Sequence, residues 1–210
     1  MPCTYNGELV QGAEYVYGQY TYRYMQQGNT SGWENISTDG WGVILTNKDS
    51  TEPVTSNLCS SINDKPIVSM SLMFVNSEAS NINLSNFNTS NVVNMNGMFK
   101  NTKVNNLNLS NFDTSNVTDM QQMFDGSLVE NLNIDSFDTS SVTNMNRMFA
   151  GSAIATFDLT NFDTSNVTDM QNMFINATTT IGYAKTQADA DRLNASAGKP
   201  SGLTFTVKNN

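Results

Sequence analysis

Apolar residues recur at a fixed period of 25 residues through the middle of the chain. Phenylalanine and methionine each form two columns, in which every member follows the previous one by one period. The columns are Phe87, Phe112, Phe137 and Phe162; Phe74, Phe99, Phe124, Phe149 and Phe174; Met70, Met95, Met120, Met145 and Met170; and Met73, Met98, Met123, Met148 and Met173. A period of this length predicts a solenoid, in which each unit buries its apolar face against its neighbours.

The repeating unit reads L-x-L-S-N-F-D-T-S-N-V-T-D-M-x-x-M-F, in four full copies that follow a half-copy at 67–74. Leu107 and Leu109 are two residues apart, which predicts a short strand. From Val117 the apolar residues follow at i, i+3, i+6 and i+7, which predicts a short helix capped by 114–116. We therefore predict an α/β, leucine-rich-repeat-like solenoid with one strand and one helix per coil. An all-β coil is the alternative, because so short a helix is marginal alone.

The flanking sequences predict caps that cover the open ends of the solenoid. We divide the chain into a Tyr/Trp-rich, mostly β cap (1–66), the solenoid (67–181) and a C-terminal cap with a helix and a strand (182–210).

Local signals predict the elements of each cap. In the first, we expect a hairpin or bulge at Gly18, a strand at 41–45 and a short helix within 54–62. In the second, Thr186 caps a helix that Gly198 ends, and 203–207 form a strand.

The repeated phrase resembles the BspA-type surface-protein repeat, the DUF285 family of bacterial surface lipoproteins. The resemblance covers 67–181 and rests on Phe, Asp-Thr-Ser, Val-Thr and Met-x-x-Met-Phe in register. It implies a protein outside bacteria or their phages that serves attachment rather than catalysis. Two departures stand against a lipoprotein: we expect no secretion signal at the start, and the slot where relatives carry cysteine holds Ser77, Thr102, Ser127, Ser152 and Ala177. The missing signal, together with the Tyr-rich start of the chain, makes a prophage tail or baseplate protein the alternative.

Composition narrows the classes of partner and chemistry. The net charge of −9 and the lack of a basic run argue against nucleic acid and anionic membranes as partners. Membrane insertion is not predicted either, because no apolar run is long enough to span a membrane. The chain has no histidine, which removes histidine-based nucleophilic sites and imidazole-bound metals. Cys3 and Cys59 could form a disulfide, but two cysteines make no framework, so we favour free buried thiols. We expect no cofactor and no metal.

Aspartates repeat with the same period at Asp113, Asp138 and Asp163. Asp before Thr-Ser favours an Asx turn or a helix cap, while a calcium ladder and a pair of catalytic carboxylates ~5 Å apart are the alternatives. We favour the turn, because a catalytic pair needs two different environments and these residues follow the repeat. A second polar column, Asn91, Asn116 and Asn166, predicts an internal amide ladder between coils.

Positions where the copies differ are the candidates for recognition. They predict a binding strip on the corners of the coils, which neutral drift on a solvated edge would equally explain. The strip comprises Lys100, Lys103, Gln121, Gln122, Asp125, Glu130, Asn146, Arg147, Gln171 and Asn172. An aromatic patch that could stack on sugars, or simply pack, is the second candidate: Tyr15, Tyr17, Tyr20, Tyr22, Tyr24, Trp33 and Trp41.

Three functional hypotheses follow from these patterns. The first is a non-enzymatic, extracellular binding or adhesion module for a protein or glycan on a host or bacterial surface. The second is a structural or receptor-binding part of a phage tail or baseplate, which would self-associate or assemble into a larger particle. The third is a carbohydrate-cleaving enzyme with paired aspartates. The first two place the protein outside the cell, on a cell surface or in a virion.

Overall fold

Units of 25 residues stack as the coils of a β-solenoid in the computed structural model, which describes residues 1–27 and 38–208. The strands are β1 (Pro2–Cys3), β2 (Glu14–Tyr17), β3 (Tyr20–Met25), β4 (Gly40–Leu45), β5 (Ser61–Ile62), β6 (Lys65–Ser69), β7 (Asn106–Asn108), β8 (Asn131–Asn133), β9 (Phe157–Leu159), β10 (Ile181–Ala184) and β11 (Thr204–Val207). Within the described ranges one α-helix forms, α1 (Gln187–Asn194). It is not long and apolar enough to cross a membrane.

Parallel pairing joins equivalent residues of neighbouring coils on two faces of the solenoid. On one face β7 pairs with β8, so that Leu107 lies opposite Leu132. At the C-terminal end, β9, β10 and β11 form a three-stranded parallel sheet. On the other face, single bridges join a column one residue wide: Ser69, Asn94, Asp119, Asn144 and Asp169. The predicted solenoid is confirmed.

The short helix predicted in each coil is wrong, because this segment folds into consecutive tight turns. Gln122 (φ 55°) and Gly126 (φ 65°) lie in the left-handed region, which interrupts a right-handed helix. The first turn is closed by the N–H of Met123, which donates to the carbonyl of Met120 over 3.2 Å. A positive φ at the third residue is the signature of a type II turn. The solenoid is therefore dominated by sheet and turn rather than α/β.

Backbone hydrogen bonds explain why the turns replace the helix. Alternate N–H groups point along the solenoid axis to the next coil, as where Phe124 donates to the carbonyl of Met148 over 2.8 Å. A helix would consume those donors internally and leave the coils unjoined. The left-handed positions recur in two columns, of which the second holds only Asn and Gly, the residues best suited to positive φ. The columns are Leu72, Gly97, Gln122, Arg147 and Asn172, then Asn76, Asn101, Gly126, Gly151 and Asn176.

The repeated apolar columns form one continuous core. Nine of the ten column methionines have 0% exposure, and Met170 is half-buried against the core. Rings stack from coil to coil, with centroids 5.4 Å apart between Phe74 and Phe99 and 5.6 Å between Phe99 and Phe124. The second phenylalanine column is buried as predicted, and within it Phe137 stacks on Phe162.

The N-terminal cap contains a six-stranded sheet in the order β1-β5-β6-β4-β3-β2. The predicted hairpin is confirmed, because β2 and β3 pair antiparallel around Gly18 (φ 58°). The strand predicted at 41–45 is confirmed as β4. The helix predicted within 54–62 is wrong, because Val54 instead forms a parallel bridge to Ile82.

Cys3 and Cys59 form a disulfide, so the preference for free thiols is wrong. β1 pairs with β5, which places Cys3 opposite Ile62, near Cys59. The two Cα atoms are 5.6 Å apart, within the usual range for a disulfide. Predicting the disulfide would have required this long-range pairing, which the number of cysteines does not reveal.

The C-terminal cap follows the path of one more coil. Thr186 caps α1 as predicted, since it accepts a hydrogen bond from the N–H of Asp189. The helix ends at Asn194, earlier than Gly198, which has φ 76° in the following turn. The final strand is confirmed as β11. Beneath α1, the hydroxyl of Thr164 donates to Asp189 over 2.8 Å.

Candidate functional site

The outward corner of each coil is the place where the copies differ most. We define the variable corner as residues 103–106, 128–131, 153–156 and 178–181. Its backbone is fixed by bonds between coils: the N–H of Leu128 donates to Thr102 over 3.0 Å, and that of Glu130 donates to Asn105 over 2.9 Å. Because main-chain groups make these bonds, the corner can change its side chains without changing its path. Two predicted strip residues, Lys103 and Glu130, lie exposed on it.

Three charged strip residues meet in one cluster that spans three coils. The Asp125 carboxylate, with its side chain only 8% exposed, lies 3.3 Å from the Lys100 ammonium and 3.1 Å from Nε of Arg147. A second guanidinium nitrogen of Arg147 donates to the other carboxylate oxygen over 3.3 Å. This geometry ties neighbouring coils together. Two nitrogens of the Arg147 guanidinium are thus bound to Asp125, although Arg147 was predicted to belong to the binding strip.

Amide strip residues also serve contacts between coils. The side-chain oxygen of Gln121 accepts from Asn96 over 3.2 Å and from Asn144 over 3.3 Å. Asn146 donates to both carboxylate oxygens of Asp169. These bonds hold the turn face of the solenoid in register.

The remaining strip residues lie on the same turns. Gln122 and Asn172 occupy left-handed positions, and the N–H of Asn172 donates to Ala197 in the C-terminal cap over 2.8 Å. Gln171 is exposed, with its N–H bound to the Asp169 carboxylate. The strip is therefore one neighbourhood along the solenoid, and much of it is occupied by scaffold contacts.

The aspartate column forms the Asx turns predicted for it. In Asp138 the carboxylate accepts from the N–H of Ser140 over 2.9 Å, and Asp163 accepts from Ser165 in the same way. Hydrogen bonds from the side chain and backbone of Ser140 lower the pKa of Asp138, and those of Ser165 lower the pKa of Asp163. Across the described residues no group of three or more His, Cys, Asp or Glu side chains could hold a metal ion.

The amide ladder predicted for Asn91, Asn116 and Asn166 takes another form, and Asn91 bonds within its own coil, to the hydroxyl of Ser90 over 3.4 Å. Asn116 donates to the backbone carbonyl of Ser90 over 2.8 Å, and Asn166 donates to that of Ser140 over 2.7 Å. Both side chains are exposed rather than internal. The coils are bridged as expected, but by amide-to-carbonyl bonds, because the preceding coil presents a free carbonyl at this corner.

The predicted aromatic patch is largely part of the core. Tyr20, Tyr22, Tyr24 and Trp41 are buried, so their rings pack inside the N-terminal cap and cannot stack on an external sugar. Burial raises the pKa of Tyr20 and of Tyr22 above the ordinary value. The two half-buried members are Tyr15 and Tyr17, whose rings stack at 6.4 Å. Trp33 lies outside the described residues.

A groove lined by both polar and apolar residues, which was not predicted from the sequence, lies where the N-terminal cap meets the first coils. The groove has a volume of about 650 Å³ and is lined by 53–57, 81–85, Asn108, Ser110 and Asn111. The available signal was a break in period: Val54 bridges to Ile82, 28 residues later, whereas later coils pair at 25.

Comparison with known proteins identifies the chain as a member of a repeat family. The family described as "Mycoplasma protein of unknown function, DUF285" matches twice, over residues 49–129 and 101–186. The two matches together span more than half of the chain, so the protein belongs to this family. No curated protein and no solved structure matches the chain significantly. The recognised 25-residue repeat is thus confirmed as that of DUF285.

Proposed function

We propose that this protein is a non-enzymatic binding module, which presents the side chains of its variable corner to a protein or glycan on a cell surface. The proposal rests on the difference between inward and outward residues within each coil. Inward residues repeat and fill one core, while outward residues on the corner differ from coil to coil. At the first corner position the chain has Lys103, Leu128, Ala153 and Thr178.

Exposure and backbone bonding make this corner suitable for recognition. Leu128 is 47% exposed, and Ile181, on the same corner of a later coil, is 51% exposed. Glu130 follows on the same side of the corner. A rigid backbone that holds varied side chains loses little conformational entropy on binding.

The acids of the repeat support a binding role rather than catalysis. A glycosidase pair needs one carboxyl that keeps its proton near neutral pH. In Asp138 and Asp163 the pKa is lowered, and both carboxylates are used in Asx turns. We therefore assign the aspartate column to the scaffold.

The Cys3–Cys59 disulfide supports placement outside the cell. Disulfides form and persist in oxidising compartments and are rare where glutathione keeps thiols reduced. A surface role for the DUF285 repeat agrees with this bond.

Cell-binding experiments with corner variants test the proposal. The variant Leu128→Lys/Glu130→Asn copies Lys103 and Asn105 of the preceding coil and leaves the backbone bonds intact. Labelled protein would be titrated onto bacterial and mammalian cells, untreated or treated with protease or periodate. We expect saturable binding that the corner variant weakens about tenfold, because exposed contacts contribute about 1 kcal/mol each. Loss after protease assigns a protein receptor, and loss after periodate assigns a glycan.

A matched control is Asn116→Ser, which copies Ser141. Ser141 makes the equivalent bond to the preceding coil, from its hydroxyl to Ser115 over 2.7 Å. The control is expected to bind like the wild type. If the corner variant and the wild type bind equally, the variable corner is not the recognition surface. If the wild type binds to no cell, the protein is not a cell-surface binding module.

A further inference from the structure

The groove described above lies at an interruption in the ladder of strands. Val54 is bridged to Ile82, and one coil later β7 pairs with β8. Between these two pairings, among the described residues, no backbone hydrogen bond joins 81–85 to 106–110. The side chain of Asn111 joins the two coils there instead, by donating to the carbonyl of Leu84 over 3.0 Å. The groove has a volume of about 650 Å³, within the usual range for small-molecule sites, about 300–1,000 Å³.

Uncharged hydrogen-bonding groups face this groove from both sides. Asn83 and Asn108 occupy equivalent positions in successive coils, and each carbonyl oxygen accepts an N–H two residues on, over 3.0 Å. The Asx turns fix the orientation of both amides, and within the described chain their NH₂ groups donate to no other residue. The side chain of Asn81 makes no hydrogen bond there either. The groove thus holds oriented, unused donors.

The walls of the groove are braced by the N-terminal cap. Gln19, in the β-hairpin turn, donates to the carbonyl of Pro53 over 3.1 Å and accepts the N–H of Thr55 over 2.8 Å. On the other side, Asn86 donates to the hydroxyl of Ser56 over 2.9 Å. A site held in place before binding spends less free energy on ordering.

The lining chemistry selects the class of ligand. None of the lining residues is charged or aromatic, so neither ion pairing nor ring stacking contributes. Val54, Ile82 and Leu84 are buried and form an apolar floor beneath amides and hydroxyls. Neutral sugars match this arrangement, because they carry hydroxyl groups around apolar C–H faces. The chain's net charge of −9 disfavours anionic polymers.

We propose that this groove is a binding site for an uncharged oligosaccharide, in which the amides of Asn81, Asn83 and Asn108 bond ligand hydroxyls. The inference rests on the proposed binding function and names a ligand class and a second surface for it. It differs from the variable corner in position and in chemistry.

Calorimetric titration with chitotriose, mannotriose and maltotriose tests the proposal, with trigalacturonic acid and an uncharged Ser/Thr-rich hexapeptide as comparison probes. We expect at least one neutral trisaccharide to bind at millimolar concentration or below, and neither comparison probe to bind as tightly. Asn81→Ala and Asn108→Ala are each expected to weaken binding about tenfold, as loss of one hydrogen bond does.

Asn133→Ala is the matched control for Asn108→Ala. Asn133 holds the equivalent Asx turn, accepting from Asp135 over 3.1 Å, but lies one coil beyond the groove. Both variants lose the same turn bond, so only the groove variant should lose sugar affinity. The proposal is overturned if no neutral trisaccharide binds, if a comparison probe binds more tightly, or if Asn133→Ala weakens binding as much as Asn108→Ala. Cell binding by the wild type would still stand in those cases, which separates this inference from the proposed function.

Discussion

At the scale of single residues, one side chain can change how stably a coil is bound to its neighbours. The bridge column alternates amides with acids, and Asp119 lies between Asn94 and Asn144. Burial raises the pKa of Asp119, although the N–H of Gln121 and the amide of Asn96 stabilise the carboxylate in part. A carboxylate whose folded pKa is raised favours unfolding at neutral pH.

Asp119→Asn is expected to stabilise the protein by up to about 1 kcal/mol at neutral pH. The asparagine copies its neighbours in the column and can still accept the N–H of Gln121. The folded pKa lies above the unfolded value, so the penalty of the wild type is absent below the unfolded pKa of about 3.9 and grows as pH rises through the folded pKa. Urea unfolding of both proteins at neutral pH and at acid pH would check this, and an advantage that persists unchanged in acid would contradict it.

Arg147→Asn is expected to destabilise the protein, although the next coil has asparagine in the same column, at Asn172. Asn suits the left-handed φ of 56°, but the substitution removes the two-pronged contact with the nearly buried Asp125. We expect a loss of about 1–2 kcal/mol.

The next coil supplies the control for this variant. There Asn172 takes the place of Arg147, and Ala150 takes the place of Asp125. The double variant Arg147→Asn/Asp125→Ala copies that pair and should recover most of the loss, because it also removes the nearly buried carboxylate that the single variant leaves with Lys100 alone. Additive effects in the double-mutant cycle, measured by chemical denaturation, would show that the contact contributes nothing.

At the scale of one coil, threonine hydroxyls act as part of the backbone ladder. The buried Thr114 donates to the carbonyl of Asp138 over 2.9 Å and accepts the N–H of the same residue over 2.8 Å. Thr89 and Thr139 repeat this arrangement with the next coil. One hydroxyl thus satisfies two main-chain groups in each corner.

Thr114→Val is expected to cost about 1–3 kcal/mol, because it removes the two hydrogen bonds that the buried hydroxyl makes to the main chain of Asp138. Thr118→Val makes the same chemical change on the exposed surface and copies Val93, so we expect an effect within about 0.5 kcal/mol. Thermal and urea unfolding of the two variants would be compared. Equal losses would show that the hydroxyl bonds of Thr114 are not what stabilises the corner.

Sequence pattern predicted the strands and the core of the coil but not its turns. Leu107 and Leu109 alternate as strand residues must, and the methionine and phenylalanine columns are buried as their period indicated. The stripe from Val117 to Phe124 fits a helix equally well, because two tight turns also bring every third or fourth residue inward. The helix does not form because the backbone N–H groups bond to the next coil, which is a non-local interaction. The groove escaped prediction for the same reason, because its lining residues come from segments that are far apart in the sequence.

For the whole molecule, the two caps close the solenoid by different means. The N-terminal cap adds a sheet and a covalent bond between Cys3 and Cys59. The C-terminal cap places Asp189 where the next coil would put a backbone carbonyl, and the carboxylate accepts both the N–H and the hydroxyl of Thr164. Burial raises the pKa of Asp189, the bonds from Thr186 and Thr164 lower it, and the net pKa lies below the ordinary value.

Reduction of the disulfide is expected to lower the free energy of unfolding by about 2–4 kcal/mol, because the bond closes a long loop in the unfolded chain. Melting curves would be recorded with and without dithiothreitol. The Cys3→Ser variant should melt like the reduced wild type and should not respond to the reductant. A wild type whose melting temperature ignores dithiothreitol, with complete reduction verified by mass spectrometry, would show that the bond stabilises little.

Two polar contacts of the C-terminal cap are made to groups present in every coil, and such contacts leave the number of coils free. Asp189 engages a threonine that recurs in each repeat, and Arg192 donates to the carbonyl of Val167, another recurring position. Tandem duplication of 25 residues could therefore lengthen the rod without redesign of either end. Each added unit would extend its reach by about 4.8 Å, the spacing of paired strands. The near-identity of 111–124 and 161–174, which differ only at Gln122 and Asn172, is what growth by copying would leave behind.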